Sequence, residues 1–453
     1  MHTFTVLPPE IESLIRDKRW GALARYRPWP ETETIAPELA DALLKLNPAD
    51  RALLFRALPK EIAAEVFSYL EGEPRDALLR QLTDHETRQL LDEMNPDDRA
   101  SLLGELPGQV TQQLLNLLSP ADLHEVRKLL GYPEESVGRL MTPDYLAVRP
   151  EWSIDQALKH IRTFGHESET ADIIYVTDAR WRLLDDLPLQ RLVMTAPDKL
   201  VQDIMDNTYV ALRTSDNREQ AVRMMQRYDR VALPVVDSDG VLVGIVTVDD
   251  VLDVAEAEAT EDFHKVAAIT PLRMSYWEAS KTFLFRARIG WLVGLVLVNL
   301  ISSGIIATFE EVLAASMALA FFIPLIIDTG GNAGAQSATL MIRAISLGDV
   351  KLNQWARAFT KELAIGISIG LTIGLMGLVL GLFRGGFEIG LVVMLTMIVM
   401  LVITNLIGLS LPFILTRFGL DPALASGPLI TSVADAAGLL IYFNIAVWVL
   451  GIG

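Results

Sequence analysis

One carboxylate stands inside an otherwise uncharged stretch near the carboxyl end of the chain. Asp435 lies within DPALASGPLITSVADAAG, residues 421–438, and an uncharged run follows it. A carboxylate in hydrocarbon costs roughly 2.5 kcal/mol or more unless it faces water or a partner. The small residues around Asp435 let backbones approach closely, and Pro428 leaves one helical carbonyl without its usual donor. This pattern predicts an ion site inside a membrane. The competing interpretation is a buried acid that pairs with a polar neighbour.

A second segment, PLIIDTGGNAGAQSATLMIR at residues 324–343, has a similar composition of glycine, proline, one carboxylate and neutral oxygen ligands. The last histidine is His264 and the chain has no cysteine, so sites for zinc, copper or thiolate-bound iron are not expected. Oxygen ligands favour Mg²⁺, Ca²⁺ or Mn²⁺, and a sparse set of them suits a Mg²⁺ ion that keeps its water. Asp328, in this segment, either lines the entrance of a pore or caps a turn at residues 329–331.

The charge of the chain is divided unevenly. Residues 284–453 carry eight acidic and eight basic residues, whereas residues 1–283 carry 49 acidic and 31 basic ones and thus the whole net charge of −18. Such an acidic half repels nucleic acid, which we do not expect as a partner, and attracts cations. The same charge also serves plain solubility. No signal peptide is expected, because charges and prolines occupy the first 30 residues.

Five uncharged or nearly uncharged stretches predict a five-helix transmembrane domain over residues 284–453. They are residues 289–309, 312–342, 363–383, 389–416 and 422–453. Each is long enough to cross a bilayer. Gly366, Gly370 and Gly374 have the four-residue spacing of closely packed membrane helices. The positions of the basic residues predict a cytoplasmic amino terminus and a carboxyl terminus outside the cytoplasmic (inner) membrane.

Residues 1–136 predict an all-α, superhelical N domain with an internal repeat. LNPADRALLFRALP begins at Leu46 and MNPDDRASLLGELP begins at Met94, a spacing of 48 residues. In each copy Asn-Pro marks a helix start, and leucines recur at helical spacing. A period of this length is typical of stacked helix pairs.

Residues 137–254 alternate β-rich runs with amphipathic helices and resemble an α/β pair of CBS domains, at 137–200 and 201–254. The second copy carries DIMD at 203–206 and LPVVDSDGVLVGIVTVDDVLD at 233–253. The first copy keeps LMTP at 140–143 but has RWRLLDDLPLQRLV in place of the usual glycine-containing hairpin. CBS pairs commonly bind adenine nucleotides or metal ions, so the resemblance makes ATP a candidate cofactor.

The stretch DVAEAEATEDFHK, residues 253–265, predicts an acidic helix, and we assign residues 255–283 as an acidic connecting helix. A solvated linker helix has the same composition. Like charges packed between a regulatory module and a membrane domain repel one another unless divalent cations bridge them.

In this order the parts resemble the MgtE family of Mg²⁺ channels over essentially the whole chain. PLIIDTGGNAGAQS and DPALASGPLITSVAD are similar to the two membrane signatures of that family, and AEAEATED is similar to its connecting "plug" helix. The resemblance implies a homodimer with one central pore. It assigns the pore aspartate to Asp435 and places pore-lining backbone and amide groups near Gly331, Asn332 and Ala434.

The resemblance further implies that cytosolic Mg²⁺ holds the pore shut by bridging acids of different domains. The matching acids are Asp250, Asp253, Glu258, Glu261, Asp262, Asp421, Glu219 and Asp229. N-domain acids near Asp97 and Asp98 are further candidates. Bridging ions favour the closed arrangement only by their differential affinity for it.

Three alternative functions compete with a channel. An ion-coupled secondary transporter of divalent cations such as Mn²⁺ or Co²⁺ calls for an inverted repeat or a relay of intramembrane acids, and the spans offer only Asp328 and Asp435. A CBS-regulated membrane enzyme is not expected, because no nucleophile–base pair appears and TGGNAG lacks the lysine of a phosphate loop. A CBS-bearing sensor without transport leaves Asp435 unexplained.

Overall fold

The structure is a computed structural model that describes residues 7–272, 276–277 and 279–451. The chain divides into two compact units, Met1–Ala257 and Glu258–Gly453. The first unit holds short helices and two small sheets, and the second unit is helical. The predicted classes of N domain, CBS pair and helical membrane region are therefore confirmed.

Ten short helices form the amino-terminal part of the first unit. They are α1 (Pro9–Arg16), α2 (Trp20–Leu23), α3 (Thr32–Leu44), α4 (Pro48–Ala57), α5 (Lys60–Ser68), α6 (Gly72–Leu79), α7 (Asp84–Glu93), α8 (Pro96–Glu105), α9 (Gly108–Leu115) and α10 (Pro120–Leu130). Their apolar faces share one core, in which Ile35, Leu54 and Phe67 are almost fully buried.

The two copies of the sequence repeat make matching contacts. Helices α4 and α8 both begin at the proline of the Asn-Pro pair. Arg51 Nε donates to the Leu43 carbonyl at 3.1 Å, and Arg99 Nη1 donates to the Leu91 carbonyl at 2.9 Å. Each buried guanidinium thus ties its helix to the chain eight residues earlier. Charge-assisted bonds of this kind satisfy carbonyls at the end of the preceding helix.

A short helix and two three-stranded sheets with their helices follow. The elements are α11 (Val137–Leu140), β1 (Ala147–Val148), α12 (Ile154–Phe164), β2 (Ile173–Thr177), β3 (Leu183–Pro188), α13 (Leu189–Val193), β4 (Leu212–Arg213), α14 (Arg218–Tyr228), β5 (Ala232–Val236), β6 (Leu242–Thr247) and α15 (Val248–Val266). The sheet orders are β1-β2-β3 and β4-β5-β6. In each sheet the first strand pair is parallel and the second is antiparallel.

The first CBS copy forms the same hairpin as the second despite its different sequence. In the second copy the β5–β6 turn contains Gly240 at φ 79°, and in the first copy Trp181 has φ 60° between β2 and β3. A positive φ is costly for an aromatic residue. The Arg149 guanidinium lies 4.5 Å from the centre of the Trp181 ring, and this stacking contact stabilises the turn.

The acidic stretch lies on α15, whose bounds differ from the predicted connecting segment of 255–283. The helix begins at Val248, directly after β6, and the Thr247 hydroxyl donates to Asp250 in its first turn at 3.1 Å. It ends at Val266, two residues before Ala268, whose φ of 56° is left-handed. Residues 267–272 therefore leave the helix before the first apolar span begins.

The second unit contains α16 (Lys281–Thr308), α17 (Glu310–Ala315), α18 (Ile323–Ser346), α19 (Trp355–Arg417) and α20 (Gly427–Leu450). Among the described residues, four helical segments are long and apolar enough to cross a membrane: α16, α18 with the turn before it, α19 and α20. Helix α19 has 63 residues. At 1.5 Å per residue that is about three times the thickness of the hydrocarbon core.

Helix α19 is two helices that fold back on one another. Gly386 has φ 84° and ψ −175°, a conformation that is essentially restricted to glycine, and it separates residues 355–385 from 387–417. A Cβ on Gly381 would lie 2.4 Å from Gly390 Cα, and one on Gly370 would lie 3.0 Å from Ile398 Cα. The predicted glycine face therefore brings the two halves into backbone contact.

Candidate cation sites

Helices α18 and α20 approach closely through their small residues. A Cβ on Gly331 would lie 2.6 Å from Thr431 Cγ2, and one on Gly334 would lie 3.0 Å from Ile430 Cγ2. Gly331, a predicted pore residue, is thus placed at the contact between the two signature segments. Because neither position has room for a side chain, the backbone of α18 stays next to the polar end of α20.

Asp435 lies one helical turn beyond Thr431 on α20, beside the buried Ala434. Its Oδ1 atom is buried and has no hydrogen-bond partner among the described residues. The carboxylate of Asp328 on α18 interacts with it electrostatically. The interpretation of Asp435 as an acid paired with a polar neighbour is therefore not supported. An unpaired buried carboxylate oxygen is costly, and a cation compensates that cost.

One face of α18 carries exposed polar side chains. Asp328, Asn332 and Gln336 follow one another at four-residue spacing and are all exposed. The alternative role of Asp328 as a turn cap is wrong, because α18 continues through residues 329–331. Polar groups on an apolar helix of 24 residues are costly in lipid. This face therefore fits a water-filled path or a second polar surface better than it fits hydrocarbon.

A lysine occupies the position between two of the acids predicted to bind metal at the connecting helix. Lys265 Nζ lies 2.5 Å from Asp421 Oδ2 and 2.6 Å from Glu261 Oε1. Burial alone disfavours the charged amine, but the two carboxylates outweigh it and raise the pKa of Lys265. Asp421 does face α15, as predicted. Glu258 and Asp262, half-buried, lie near Glu261 on the same helix.

A second group of acids lies in the first unit, and we call it the acidic cluster. It consists of Glu65 on α5, Asp97 and Asp98 on α8, Glu169 before β2, and Asp249, Asp250 and Asp253 on α15. These acids interact electrostatically across elements that are distant in sequence. Asp250 and Asp253, which the sequence predicts as metal ligands, thus interact with the candidate N-domain acids Asp97 and Asp98.

Burial and like charge perturb the acidic cluster. Burial, then the carboxylate of Asp250, raises the pKa of Asp97 well above its usual range. Burial, then the carboxylate of Asp249, raises the pKa of Asp250 in the same way and brings that of Glu169 to about 7. Asp97 Oδ1 is buried without a hydrogen-bond partner in the described part of the chain. Carboxylates held this close repel one another, and a bound divalent cation relieves repulsion of this kind.

Two other predicted ligands do not come together within one chain. Glu219 is in the first turn of α14, and Asp229 caps its far end in a left-handed conformation, φ 49°. Ten residues of helix place them roughly 15 Å apart. Across the described residues, no three Asp, Glu, His or Cys side chains surround one point closely enough to hold a metal ion.

Sequence reasoning missed Glu65, Glu169, Asp249 and Lys265. Lys265 follows Glu261 by four residues, the spacing of helical ion pairs, so its pairing with Glu261 could have been predicted. Asp249 adjoins a predicted ligand. No local pattern marks Glu65 or Glu169, because only the packing of distant elements brings them to the cluster.

Three family models match the chain. Residues 323–445 match "MgtE: divalent cation transporter", residues 36–135 match the MgtE intracellular N domain, and residues 201–257 match the CBS domain. A crystal structure of the soluble part of a magnesium transporter is similar in fold, with a TM-score of 0.50 and 24% sequence identity. That likeness covers 55% of this chain and 97% of the solved one.

Two relatives are similar over most of the chain. The magnesium transporter MgtE of Thermus thermophilus is 42% identical over 322 residues, which cover 71% of this chain and 72% of the relative. The MgtE of Bacillus subtilis is 33% identical over 419 residues, which cover 89% of this chain and 92% of the relative. The chain therefore belongs to the MgtE family of divalent cation transporters.

Proposed function

We propose that this protein carries Mg²⁺ across the cytoplasmic membrane through a pore in which Asp435 binds the ion while it keeps part of its water. The observation that carries the proposal is the buried Oδ1 of Asp435, which has no partner among the described residues, on the closely packed pair of α18 and α20. The relatives named above are magnesium transporters. Mg²⁺ gives up its water reluctantly, so one carboxylate per chain with few other oxygens suits it better than Ca²⁺.

The functional unit in this proposal is a homodimer. The exposed polar face of α18, with Asp328 and Asn332, lies beside the Asp435 helix and is unsuited to lipid. A two-fold axis along this face brings two copies of Asp435 to one path. Gly331, Asn332 and Ala434 then supply backbone and amide oxygens around the same path.

The membrane topology follows from the two halves of α19. Each half, residues 355–385 and 387–417, is long enough to span the bilayer, and with α16, α18 and α20 they make five spans. The acidic first unit lies in the cytoplasm because the basic flanking residues face that side. An odd number of spans then places the carboxyl terminus outside.

Cytosolic Mg²⁺ closes the pore in this proposal. Burial and then neighbouring carboxylates raise the pKa of Asp97 and Asp250, and a divalent cation neutralises those like charges. Asp253 belongs to the same cluster. Glu258, Glu261 and Asp262 on α15, together with Asp421, form the other regulatory group. Glu219 and Asp229, at the two ends of α14, are further regulatory ligands in this proposal. Ions bound at these acids hold the closed arrangement by their differential affinity.

The test is Mg²⁺ flux into proteoliposomes at varied cytosolic-side Mg²⁺, for the wild type, Asp435→Ala and the control Glu388→Ala, an exposed acid. We expect Asp435→Ala to lose at least about tenfold in flux, because a charged oxygen ligand is worth more than ~1.4 kcal/mol. The control Glu388→Ala keeps its flux, and millimolar Mg²⁺ on the cytosolic side suppresses the flux of both the wild type and this control. Unchanged flux in Asp435→Ala removes the pore assignment. Flux that depends on Asp435 but ignores cytosolic Mg²⁺ keeps the pore and removes the gate.

Flux measurements in the same liposomes distinguish a channel from the competing function, an ion-coupled secondary transporter. A channel conducts Mg²⁺ down its own gradient, and imposed Na⁺ or H⁺ gradients of equal membrane potential leave that flux unchanged. A coupled transporter accelerates or reverses with the Na⁺ or H⁺ gradient.

An adenine nucleotide at the CBS pair stays a prediction. The complete β2–β3 hairpin of the first copy supports it, because both halves of the pair then have the same sheet. Calorimetric titration of the full chain with ATP tests it, and an absence of binding heat at millimolar ATP argues against it.

A further inference from the structure

The chain folds back beside the start of the first membrane helix. Thr270 N donates to the Ala287 carbonyl at 3.0 Å, and Ala268 makes the left-handed turn that directs the segment there. Ala287 is buried as a result, although α16 buries only one other residue among its described residues, Ser302. The described residue Thr270 therefore lies beside the second turn of α16.

A groove of about 340 Å³ lies along one face of this end of α16, with Tyr276 beside it. Its polar lining is Tyr276, Lys281 and Arg288, and its apolar lining includes Leu284, Ile289 and Leu292. Lys281 and Arg288 are two turns apart, roughly 10 Å along the helix axis. Leu292 lies one further turn toward the middle of the span. The groove thus has a basic end, formed by Lys281 and Arg288, which we call the mouth. Its apolar surface, formed by Leu284, Ile289 and Leu292, we call the floor.

The groove lies at the membrane surface, by the composition of its surroundings. Tyr276 is 61% exposed and Trp277 is 92% exposed, and their rings pack edge to face at 5.9 Å. Exposed aromatic side chains at the end of an apolar helix are typical of the headgroup region. Phe285, also in the lining, is 63% exposed toward the same region.

We propose that this groove binds one anionic phospholipid, whose phosphate lies between Lys281, Arg288 and the Tyr276 hydroxyl and whose acyl chain covers Leu284, Ile289 and Leu292. The charge is complementary, because basic residues near the surface attract anionic headgroups by about 1 kcal/mol each. This basic mouth is local, since the chain as a whole has a net charge of −18.

Other occupants match the groove less well. A second copy of this surface would bring a second Lys281 and Arg288 opposite the first, and Arg286 would add to the repulsion. A soluble anion would use the cationic mouth but leave the apolar floor exposed. A zwitterionic lipid fills the floor but brings its own positive charge to the mouth.

Native mass spectrometry of the full chain in detergent tests the proposal. The protein is titrated with phosphatidylglycerol and with phosphatidylcholine of the same acyl chains. We compare the wild type with Lys281→Gln, Arg288→Gln and the control Arg286→Gln. The control removes the same charge from the same helix at an exposed position outside the groove lining. We expect the first phosphatidylglycerol to bind the wild type and Arg286→Gln at least about fivefold more tightly than phosphatidylcholine, and we expect Lys281→Gln and Arg288→Gln to lose that preference.

Three outcomes overturn the proposal. The first is a wild type without preference for phosphatidylglycerol. The second is an equal loss in all three variants, which indicates general surface charge. The third is equally strong competition by glycerol phosphate, which has the headgroup chemistry without acyl chains and indicates a soluble-anion site.

Discussion

The Nζ atom of Lys265 lies 2.5 Å from Oδ2 of Asp421, so an ammonium joins α15 to the turn before α20, across 156 residues of sequence. The same ammonium contacts Glu261 at 2.6 Å. These two carboxylates are among those proposed to bind regulatory Mg²⁺. The ammonium and Mg²⁺ are both cations and repel one another at this distance, so Mg²⁺ at this position competes with Lys265.

Lys265→Met removes the competing charge. We expect the cytosolic Mg²⁺ concentration that halves the flux to fall by about threefold or more, because freeing the carboxylates of a partly exposed ion pair is worth up to ~1 kcal/mol. Lys265→Arg keeps the charge and serves as the control. Flux into proteoliposomes against cytosolic-side Mg²⁺ measures the change. A higher half-closing concentration in Lys265→Met would show that the pair itself holds the closed state, which contradicts competition.

Glu169 makes the stability of the first unit depend on pH. Its pKa is raised in the folded state to about 7, so the folded protein holds a proton that the unfolded chain releases from about pH 4.5 upward. Stability is therefore highest below that pH, falls as the pH rises to about 7, and then levels off. Glu169 contributes roughly 2 kcal/mol to this fall, after allowance for solvent screening.

We expect Glu169→Gln to reduce the fall in stability between about pH 4.5 and pH 7 in metal-free buffer. Its melting temperature, followed by circular dichroism of the full chain in detergent and chelator, should exceed that of the wild type at pH 7.5 and approach it at pH 5. Glu61→Gln, an exposed acid on α5, is the control. A wild type that gains stability over this range would contradict the raised pKa.

The contact between the two halves of α19 predicts a strict size limit at Gly381. Gly381→Val places its Cβ on the backbone of Gly390, at 2.4 Å, and no rotamer change relieves a contact with Cα. We expect a loss of about 3 kcal/mol or a failure to fold. Gly294→Val on α16, with no atom within 4 Å of the new Cβ, should be tolerated. Melting temperature and monodisperse elution in detergent measure the stability and folding of both variants. Equal behaviour of the two variants would count against the close contact between the two halves of α19.

The buried Arg99 should be important for the N-domain fold. Its side chain is 3% exposed and contacts Glu125 at 2.9 Å and Asp122 at 3.2 Å, besides the Leu91 carbonyl. Arg99→Met removes the donor to Glu125 and to the Leu91 carbonyl and the ion pair with Asp122, at a cost of about 3 kcal/mol. Arg80→Met breaks an exposed pair with Glu73 and should cost less than about 1 kcal/mol. Thermal unfolding compares them, and similar losses would mean that burial does not decide the value of the pair.

Local patterns in the sequence were sufficient for the class of each part, and they also mark one candidate residue, Asp435. Apolar run length predicts the membrane helices, and alternation with turn residues predicts the CBS strands. Asp435 is identifiable because a lone carboxylate in an apolar run is costly wherever the run folds. The glycine spacing in residues 363–383 likewise predicts a close helix contact, since that face repeats with the helix itself.

Only the tertiary structure decided which distant groups meet. Glu65, Asp97, Glu169 and Asp250 come from separate elements, and nothing in their local sequence indicates that burial and mutual repulsion will perturb them together. The position of Lys265 between Glu261 and Asp421 has the same origin. The physical reason is that periodicity records which residues avoid water, whereas electrostatic partners depend on long-range packing, which local sequence does not encode.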